Sequence, residues 1–356
     1  MPFTFHADPM AIVKERTAQF VSLGIPASVI SDVSTRLNDL WENRSGGWPY
    51  EWSCAARAFE TRGDFLLSSL LYGVAKYPCL GNSAHAEAYH LQLENYIRAA
   101  ANFSQRFERR LLSVSYRQDT TKVAIHLLSE QGLDTAAPVV LMLGGVDTWK
   151  MDIHNSAAQV SKILGAHIAL LDMPGVGESE VPNAPDGDAI LDGVVRQLRP
   201  IGNGRIGILA FSFGGLWAVK LALTGRVDAA AAIGAGISSS FERDNLSRIP
   251  NGMPGIFGNS LFRDAPFSSL DDFAGAMAPF SLREQGLYDW NRSTVPLLLV
   301  NGKEDPYIPR DDVTDFRARP NTVTRLVDGA THCAAEQMHS LMPWIIRWLK
   351  ENLHIL

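Results

Sequence analysis

Short apolar runs separated by segments of helical periodicity fill the chain from Val139 onward. Val139 to Leu143, Ile206 to Phe211, Asp228 to Ile233 and Val295 to Val300 are nearly continuous in apolar character. Each therefore reads as a strand buried on both sheet faces rather than half exposed. Val323 to Val327 alternates and reads as a further strand, followed by a closing amphipathic helix from about Ala334 to Asn352. Strands alternating with helices imply an α/β architecture with a mostly parallel, doubly wound sheet. Just upstream, Arg110 to Arg117 and Lys122 to Ser129 read as two antiparallel strands joined by Gln118-Asp-Thr-Thr.

The first 110 residues carry a helical pattern instead. Ser22 to Trp41 reads as one helix opening after Gly24-Ile-Pro, and Trp52 to Lys76 as two helices parted at Gly63-Asp64. Tyr89, Leu93, Tyr96, Ile97, Ala100, Phe103 and Phe107 recur at helical spacing and predict one long helix. The expected organisation is a helical N-terminal (cap) domain over 1–110 and a catalytic domain over 111–356. Trp48, Tyr50 and Trp52 fit a core better than a pocket wall. The long connection after Ile233 holds Phe257, Phe262, Phe267, Phe273 and Phe280 among several glycines and prolines. Such an excursion, about 238–292, reads equally as a lid-like insertion or as a helical connection packed on the sheet.

The chemistry starts at Ser212. The run Ile206 to Phe211 stops at Ala210-Phe-Ser-Phe-Gly-Gly and passes into Gly215-Leu-Trp-Ala-Val-Lys-Leu-Ala-Leu, a good helix. A small-x-Ser-x-Gly turn between buried strand and helix is a nucleophile elbow, which lifts the hydroxyl out at the C-terminal edge of a sheet. A serine hydroxyl is a weak nucleophile and needs a base that is itself oriented. Asp305 follows the strand ending at Asn301-Gly302, and His332 follows the strand ending near Val327. The order Ser, Asp, His is that of α/β-hydrolases. Glu304 competes with Asp305 for the acid's role. His154, near another strand end, breaks the order and reads as a helix-start or pocket residue; Cys333 is a sequence neighbour of His332 with no elbow of its own.

Oxyanion stabilisation calls for preorganised N–H groups. Phe213, after the nucleophile, supplies one; the loop Gly144-Gly-Val-Asp supplies the other from Val146, with Asp147 as the alternative. Asp147 and Lys150, at helical spacing, predict a structural ion pair. Asp172-Met-Pro-Gly-Val-Gly-Glu-Ser lacks the third glycine of a dinucleotide fingerprint and reads as an architectural turn. No cofactor and no metal are expected.

The chain has 356 residues, a net charge of −6 and no basic block, which argues against nucleic-acid binding. Its 3 cysteines, Cys54, Cys79 and Cys333, are scattered and lack metal-ligand spacing, which fits a reducing compartment. With no signal-like N-terminus and no apolar stretch of membrane length, a cytoplasmic protein without membrane contact is the expectation.

Taken together, these motifs resemble the FrsA-like branch of the α/β-hydrolases. The likeness rests on Trp52…Ala55-Ala56…Gly63-Asp64…Leu71-Tyr72, Gly144-Gly-Val-Asp-Thr-Trp-Lys, Asp172-Met-Pro-Gly-Val-Gly-Glu-Ser, Ala210-Phe-Ser-Phe-Gly-Gly and Asn301-Gly-Lys-Glu-Asp. Two positions depart from the pattern: Ala210 stands where glycine is usual, and Gly73 where arginine is frequent. The branch includes polyketide chain-shortening hydrolases and a C–C bond hydrolase of nicotine breakdown. The resemblance implies attack by Ser212 on a small-molecule β-dicarbonyl, with a carbon leaving group departing as an enolate. Ester or thioester hydrolysis, acyl transfer and a non-catalytic binding role stay open on the residues alone, as does a homodimer.

Overall fold

The computed structural model describes residues 2–130, 133, 135–250 and 252–354. Its centre is an eight-stranded sheet of β1 (Arg106–Tyr116), β2 (Asp119–Ser129), β3 (Val139–Leu143), β4 (His167–Leu171), β5 (Ile206–Phe211), β6 (Ala229–Ile233), β7 (Leu297–Gly302) and β8 (Thr322–Val327), in the order β1-β2-β4-β3-β5-β6-β7-β8. β1 and β2 pair antiparallel, β2 meets β4 antiparallel, and every other pairing is parallel. This is the α/β-hydrolase fold. Alternate strand residues enter opposite cores: Val139, Leu141 and Leu143 face one, while Val140 and Met142 face the other. Burial on both faces is why these runs lack polar alternation; β8, at the edge, alternates.

Among the described residues five α-helices precede the sheet: α1 (Pro9–Ser22), α2 (Ala27–Ser34), α3 (Trp48–Thr61), α4 (Phe65–Ala75) and α5 (Ser83–Ala99). They share a core in which Trp48 and Trp52 are fully buried, the Trp48 indole donating to the Val74 carbonyl at 2.7 Å. The remaining helices are α6 (His154–Leu164), α7 (Asp188–Leu198), α8 (Phe213–Leu223), α9 (Arg243–Leu246), α10 (Met253–Ser260), α11 (Leu270–Met277), α12 (Asp311–Thr314) and α13 (Met338–Asn352). Among the described residues no helix is long and apolar enough to cross a membrane.

Several boundaries differ from the sequence expectation. The single helix expected from Ser22 to Trp41 is absent. Instead α1 ends at Ser22 and α2 spans Ala27–Ser34, parted by Gly24 at φ 104° and by Pro26 at the N-cap of α2; beyond α2, Asp39 turns the chain by accepting from the Trp41 and Glu42 amides, each at 2.7 Å. The hydrophobic pattern does not mark α1, which Asp8 caps at 2.8 Å with Pro9 in its first turn. The long helix through Phe107 stops at Ala99. Phe103 packs instead on His154, with ring centroids 4.2 Å apart, and Phe107 lies on β1 opposite Leu128. The β1–β2 hairpin is tighter than predicted, Tyr116 pairing directly with Asp119 and Arg117 taking φ 55°. The closing helix begins at Met338, after a 3-10 segment over His332–Gln337 in which Cys333 and Ala334 have positive φ.

Candidate active site

Ser212 occupies the turn between β5 and α8 with φ 53° and ψ −130°, a region that strains any residue other than glycine. The strain is held by hydrogen bonding: the Ser212 amide donates to the Ile233 carbonyl at 2.8 Å, and its own carbonyl accepts from Gly215 at 2.9 Å. Close approach from the β3 loop requires glycine. A Cβ on Gly145 would stand 2.8 Å from the Ser212 Cβ and 3.0 Å from its Oγ, and one on Gly214 would reach 2.1 Å from the Gly144 carbonyl. The small residues flanking the serine thus let two loops meet beneath it.

The structure brings Ser212, Asp305 and His332 together. His332 Nε2 lies 2.9 Å from Ser212 Oγ, and His332 Nδ1 lies 2.7 Å from Asp305 Oδ2. Every partner of the Asp305 carboxylate is an N–H group: Oδ2 also accepts from Asn301 at 2.8 Å, while Oδ1 accepts from the Tyr307 and Ile308 amides at 2.7 and 3.2 Å. Burial opposes the charged imidazole. The Asp305 carboxylate, with the Cys333 sulfur nearby, outweighs that penalty and holds the His332 pKa well above its ordinary value. Such an arrangement can pass the serine proton to the ring and stabilise the imidazolium that results.

Rivals to these residues have other duties. Glu304 accepts from the Ala330 amide at 3.1 Å and, with Asn301 accepting from the Cys333 amide at 3.2 Å, clips the His332 loop to the end of β7. His154 is buried against Tyr96, whose hydroxyl is 2.9 Å from its Nδ1, and burial lowers its pKa to about 4. Cys333 Sγ contacts the Ile233 carbonyl at 3.3 Å.

Phe213, the first residue of α8, presents one of the amides that a helix N-terminus leaves without an intrahelical acceptor. Val146 is buried in the adjoining loop. The expected Asp147–Lys150 ion pair does not form, because the segment between them is a turn and the helix starts only at His154. Lys150 instead pairs with Asp172, at 2.5 Å, and with Glu178, at 2.8 Å, inside the Asp172-Met-Pro-Gly turn. Asp147 pairs with Arg16 at 3.0 Å. Gly73 is packed so closely that a Cβ there would lie 2.4 Å from Asp152 Oδ1; Lys76, one turn later, supplies the cation for Asp152 at 2.9 Å.

Sequence reasoning missed the α1 wall altogether. Glu15, Arg16 and Gln19 line a cavity of about 500 Å³ that also reaches Gly145, Ser212, Tyr307 and His332. Arg16 is 5% exposed; besides Asp147 it faces Glu15 at 3.1 Å and donates to Gln19 at 2.9 Å. Its guanidinium lies 5.7 and 5.6 Å from the centroids of Tyr77 and Tyr307. The aspartate at 147 was the one local signal that a cation should be sought. Ser212, Arg16 and Asp147 also border a smaller pocket of about 40 Å³, whose apolar wall is Phe241, Leu246, Met253, Phe257 and Met277 from the connection between β6 and β7. Phe257 and Phe280 also pack on Phe213, with centroids 5.3 and 5.4 Å away, so that connection is both packed core and pocket wall.

Comparison with known proteins agrees with this geometry. An Esterase FrsA-like family model matches residues 25–354. Esterase FrsA of Vibrio cholerae is 27% identical over 310 residues, covering 81% of this chain and 73% of the relative. The Vibrio vulnificus protein is 23% identical over 350 residues, covering 92% and 82% respectively. Among solved structures, AbyA5 superposes with a TM-score of 0.81 at 21% identity, over 97% of this chain and 95% of its own. A 2,6-dihydroxy-pseudo-oxynicotine hydrolase gives 0.77 at 18% identity, over 94% and 95%. With the fold, the serine-bearing turn and the family match in agreement, the chain belongs to the FrsA-like esterase family and is an α/β-hydrolase enzyme.

Proposed function

We propose that Ser212, His332 and Asp305 form the catalytic triad of a serine hydrolase that cleaves a C–C bond of a small β-dicarbonyl, a polyketide or aromatic diketone. The observation that carries the hydrolase reading is the hydrogen-bonded chain from Ser212 Oγ through His332 to Asp305, built on a serine at φ 53°. His332 accepts the serine proton as Oγ attacks a carbonyl, and Asp305 holds the ring in the tautomer that permits it. The Phe213 and Val146 amides receive the negative charge on the carbonyl oxygen. Collapse of the tetrahedral intermediate then expels the leaving group, and water releases the acid from the acyl-serine.

The β-dicarbonyl reading draws support from the two pockets at the site. Ser212 borders both a cavity of about 500 Å³ and a smaller pocket of about 40 Å³; Arg16 and Asp147 line both, and the smaller one adds Phe241, Leu246, Met253, Phe257 and Met277, so the serine meets two differently walled spaces. The likeness in fold to a 2,6-dihydroxy-pseudo-oxynicotine hydrolase points the same way. Carboxylester hydrolysis by the same triad is the second reading, favoured by the FrsA esterase relatives.

The test is product analysis in ¹⁸O-water with matched acyl esters, acyl thioesters and aryl 1,3-diketones, comparing wild type with Ser212→Ala. Serine-dependent diketone cleavage with label in the released acid supports the proposal. Turnover of esters or thioesters alone leaves an esterase, and turnover that survives Ser212→Ala removes the triad mechanism.

A further inference from the structure

Helix α1 lies before the residues that the family model matches, yet two of its side chains grip the loop after β3. Arg16 Nη2 pairs with the Asp147 carboxylate at 3.0 Å, and the Gln19 side-chain amide donates to the Thr148 hydroxyl at 2.7 Å. The grips are linked at both ends, since Arg16 Nη1 donates to Gln19 at 2.9 Å and Thr148 donates to Asp147 at 3.2 Å. The same helix also reaches the loop after β7. Tyr307 donates its hydroxyl to Glu15, and its ring centroid lies 5.6 Å from the Arg16 guanidinium. The Tyr307 amide in turn donates to Asp305 at 2.7 Å, and the ring stands edge-on to His332 with centroids 5.1 Å apart. One helix therefore ties the loop that carries Val146 to the loop that carries Asp305.

We propose that Arg16 is a positioning residue, with α1 acting as a clasp that fixes the Val146 amide against Ser212. This rests on the serine hydrolase reading above, whichever bond is cleaved, and adds to it what sets the second oxyanion donor. Phe213 is set by α8, whose first residue it is. Val146 has no such frame, because it lies in a bend between β3 and the turn ahead of α6. Its own carbonyl accepts from the Trp149 indole at 3.1 Å, and Lys76 donates to the Asp147 carbonyl at 3.3 Å. Those two bonds hold the backbone of the loop. Arg16 and Gln19 hold its side chains, and both line the cavity beside Ser212.

Geometry explains why a charged residue suits this duty. An oxyanion donor acts only when it stands about 2.7–3.1 Å from the place the charged oxygen will take, and a misplacement of about 1 Å can cost about 10² in rate. A buried ion pair adds little net stability, because desolvation offsets its attraction, but its directional bonds fix one arrangement. The planar guanidinium presents two donors at a fixed angle, one to Asp147 and one to Gln19, which an ammonium cannot reproduce. Two carboxylates, Asp147 and Glu15, already match the Arg16 charge, so it is not the receptor for a substrate anion.

The experiment measures hydrolysis of a 4-nitrophenyl ester, and inhibition by a trifluoromethyl ketone and its methyl ketone counterpart, in wild type, Arg16→Gln, Arg16→Lys and Gln19→Leu. Ser212 Oγ adds to the carbonyl carbon of the trifluoromethyl ketone, its proton passes to His332, and the carbonyl oxygen becomes the anion that the donors receive. The methyl ketone binds without forming that adduct. The stoichiometry of fluorophosphonate labelling at Ser212 counts the folded sites in each variant. Arg16→Gln should lower kcat by about 10- to 100-fold with KM little changed, and weaken the trifluoromethyl ketone by a similar factor while sparing the methyl ketone. Arg16→Lys, which keeps the charge and loses the fork, should recover part of that loss. Gln19→Leu strands no buried charge and should show the same pattern at smaller size, which keeps the test open if Arg16→Gln fails to fold. A kcat within about twofold of wild type in Gln19→Leu and in the folded Arg16 variants, or a raised KM with both ketones weakened alike, overturns the proposal, since that is how a mere cavity wall behaves. A wild-type enzyme whose Ser212 takes no fluorophosphonate sinks the hydrolase reading itself.

Discussion

Replacing Asp305 with asparagine removes one charge and almost no volume, so its effect can be worked out from the contacts. All four partners of the carboxylate are donors: His332 Nδ1 and Asn301 on Oδ2, and the Tyr307 and Ile308 amides on Oδ1. An asparagine must turn its own NH₂ toward one of these pairs. Facing the two backbone amides, it loses both of those bonds. Facing His332, it confronts the Asn301 donor and forces Nδ1 to accept, so that Nε2 carries the proton and points it at Ser212 Oγ. That tautomer cannot take the serine proton.

We expect kcat/KM to fall by about 10³–10⁴, the loss seen when a triad carboxylate becomes an amide, or about 4–5.5 kcal/mol of transition-state stabilisation. The sign of the pH effect follows from the same contacts. Asp305 holds the His332 pKa up, and the base must be neutral, so wild-type activity rises with pH through a pKa above the ordinary histidine value. In Asp305→Asn that rise should move to lower pH. The assay is the pH profile of kcat/KM for a 4-nitrophenyl ester, with fluorophosphonate labelling rates as a check. A loss smaller than about tenfold with an unmoved pH limb would refute this reasoning, since removing the charge and the tautomer lock must register in one or the other.

Other substitutions test the supports of the site. Gly145→Ala would press a methyl group into the Ser212 side chain at 2.8 Å, so kcat should drop roughly ten- to a hundredfold with little change in the unfolding midpoint; an unaltered kcat would mean the loop yields freely. Asp312 accepts from the amides of Ile237, Ser238, Ser239 and Ser240 and from the Ser240 hydroxyl, so Asp312→Ala should cost on the order of 3–5 kcal/mol in urea unfolding by orphaning buried donors. A cost below about 1 kcal/mol would show that water replaces the carboxylate. Lys76→Met leaves Asp152 buried beside the missing ammonium and should destabilise by about 3–5 kcal/mol, with part of the loss recovered by adding Asp152→Asn.

The parts of the site legible in the sequence are those whose signal is local. Ser212 could be read because a buried strand, a small-residue turn and a helix are contiguous there, and Asp305 and His332 because each follows a strand in the right order. The α1 wall was not legible for the opposite reason. Arg16 and Asp147 meet only after the sheet and the N-terminal helices have packed; Asp147 calls for a cation, but nothing near it in sequence says that the cation is Arg16. The same limit explains the false Asp147–Lys150 pair: helical spacing implies contact only where there is a helix, and one begins at His154. Phe103 and Phe107 kept helical spacing past Ala99, but full-length pairing of β1 with β2 satisfied that backbone instead. Local periodicity reported side-chain character correctly and backbone state wrongly.

The placement of α1 also bears on how the enzyme should be handled at the bench. A boundary drawn where family similarity begins, at residue 25, would delete α1 while sparing every strand of the sheet and Ser212, Asp305 and His332. Such a fragment could still react with fluorophosphonate and hydrolyse activated esters, because the triad contacts do not run through α1. What it would lose is one side of the cavity. Asp147 would be left without Arg16, and the cavity beside Ser212 would lose its Glu15, Arg16 and Gln19 wall. A substrate screen on that fragment would report on a cavity with one wall removed, and its selectivity would be a property of the truncation.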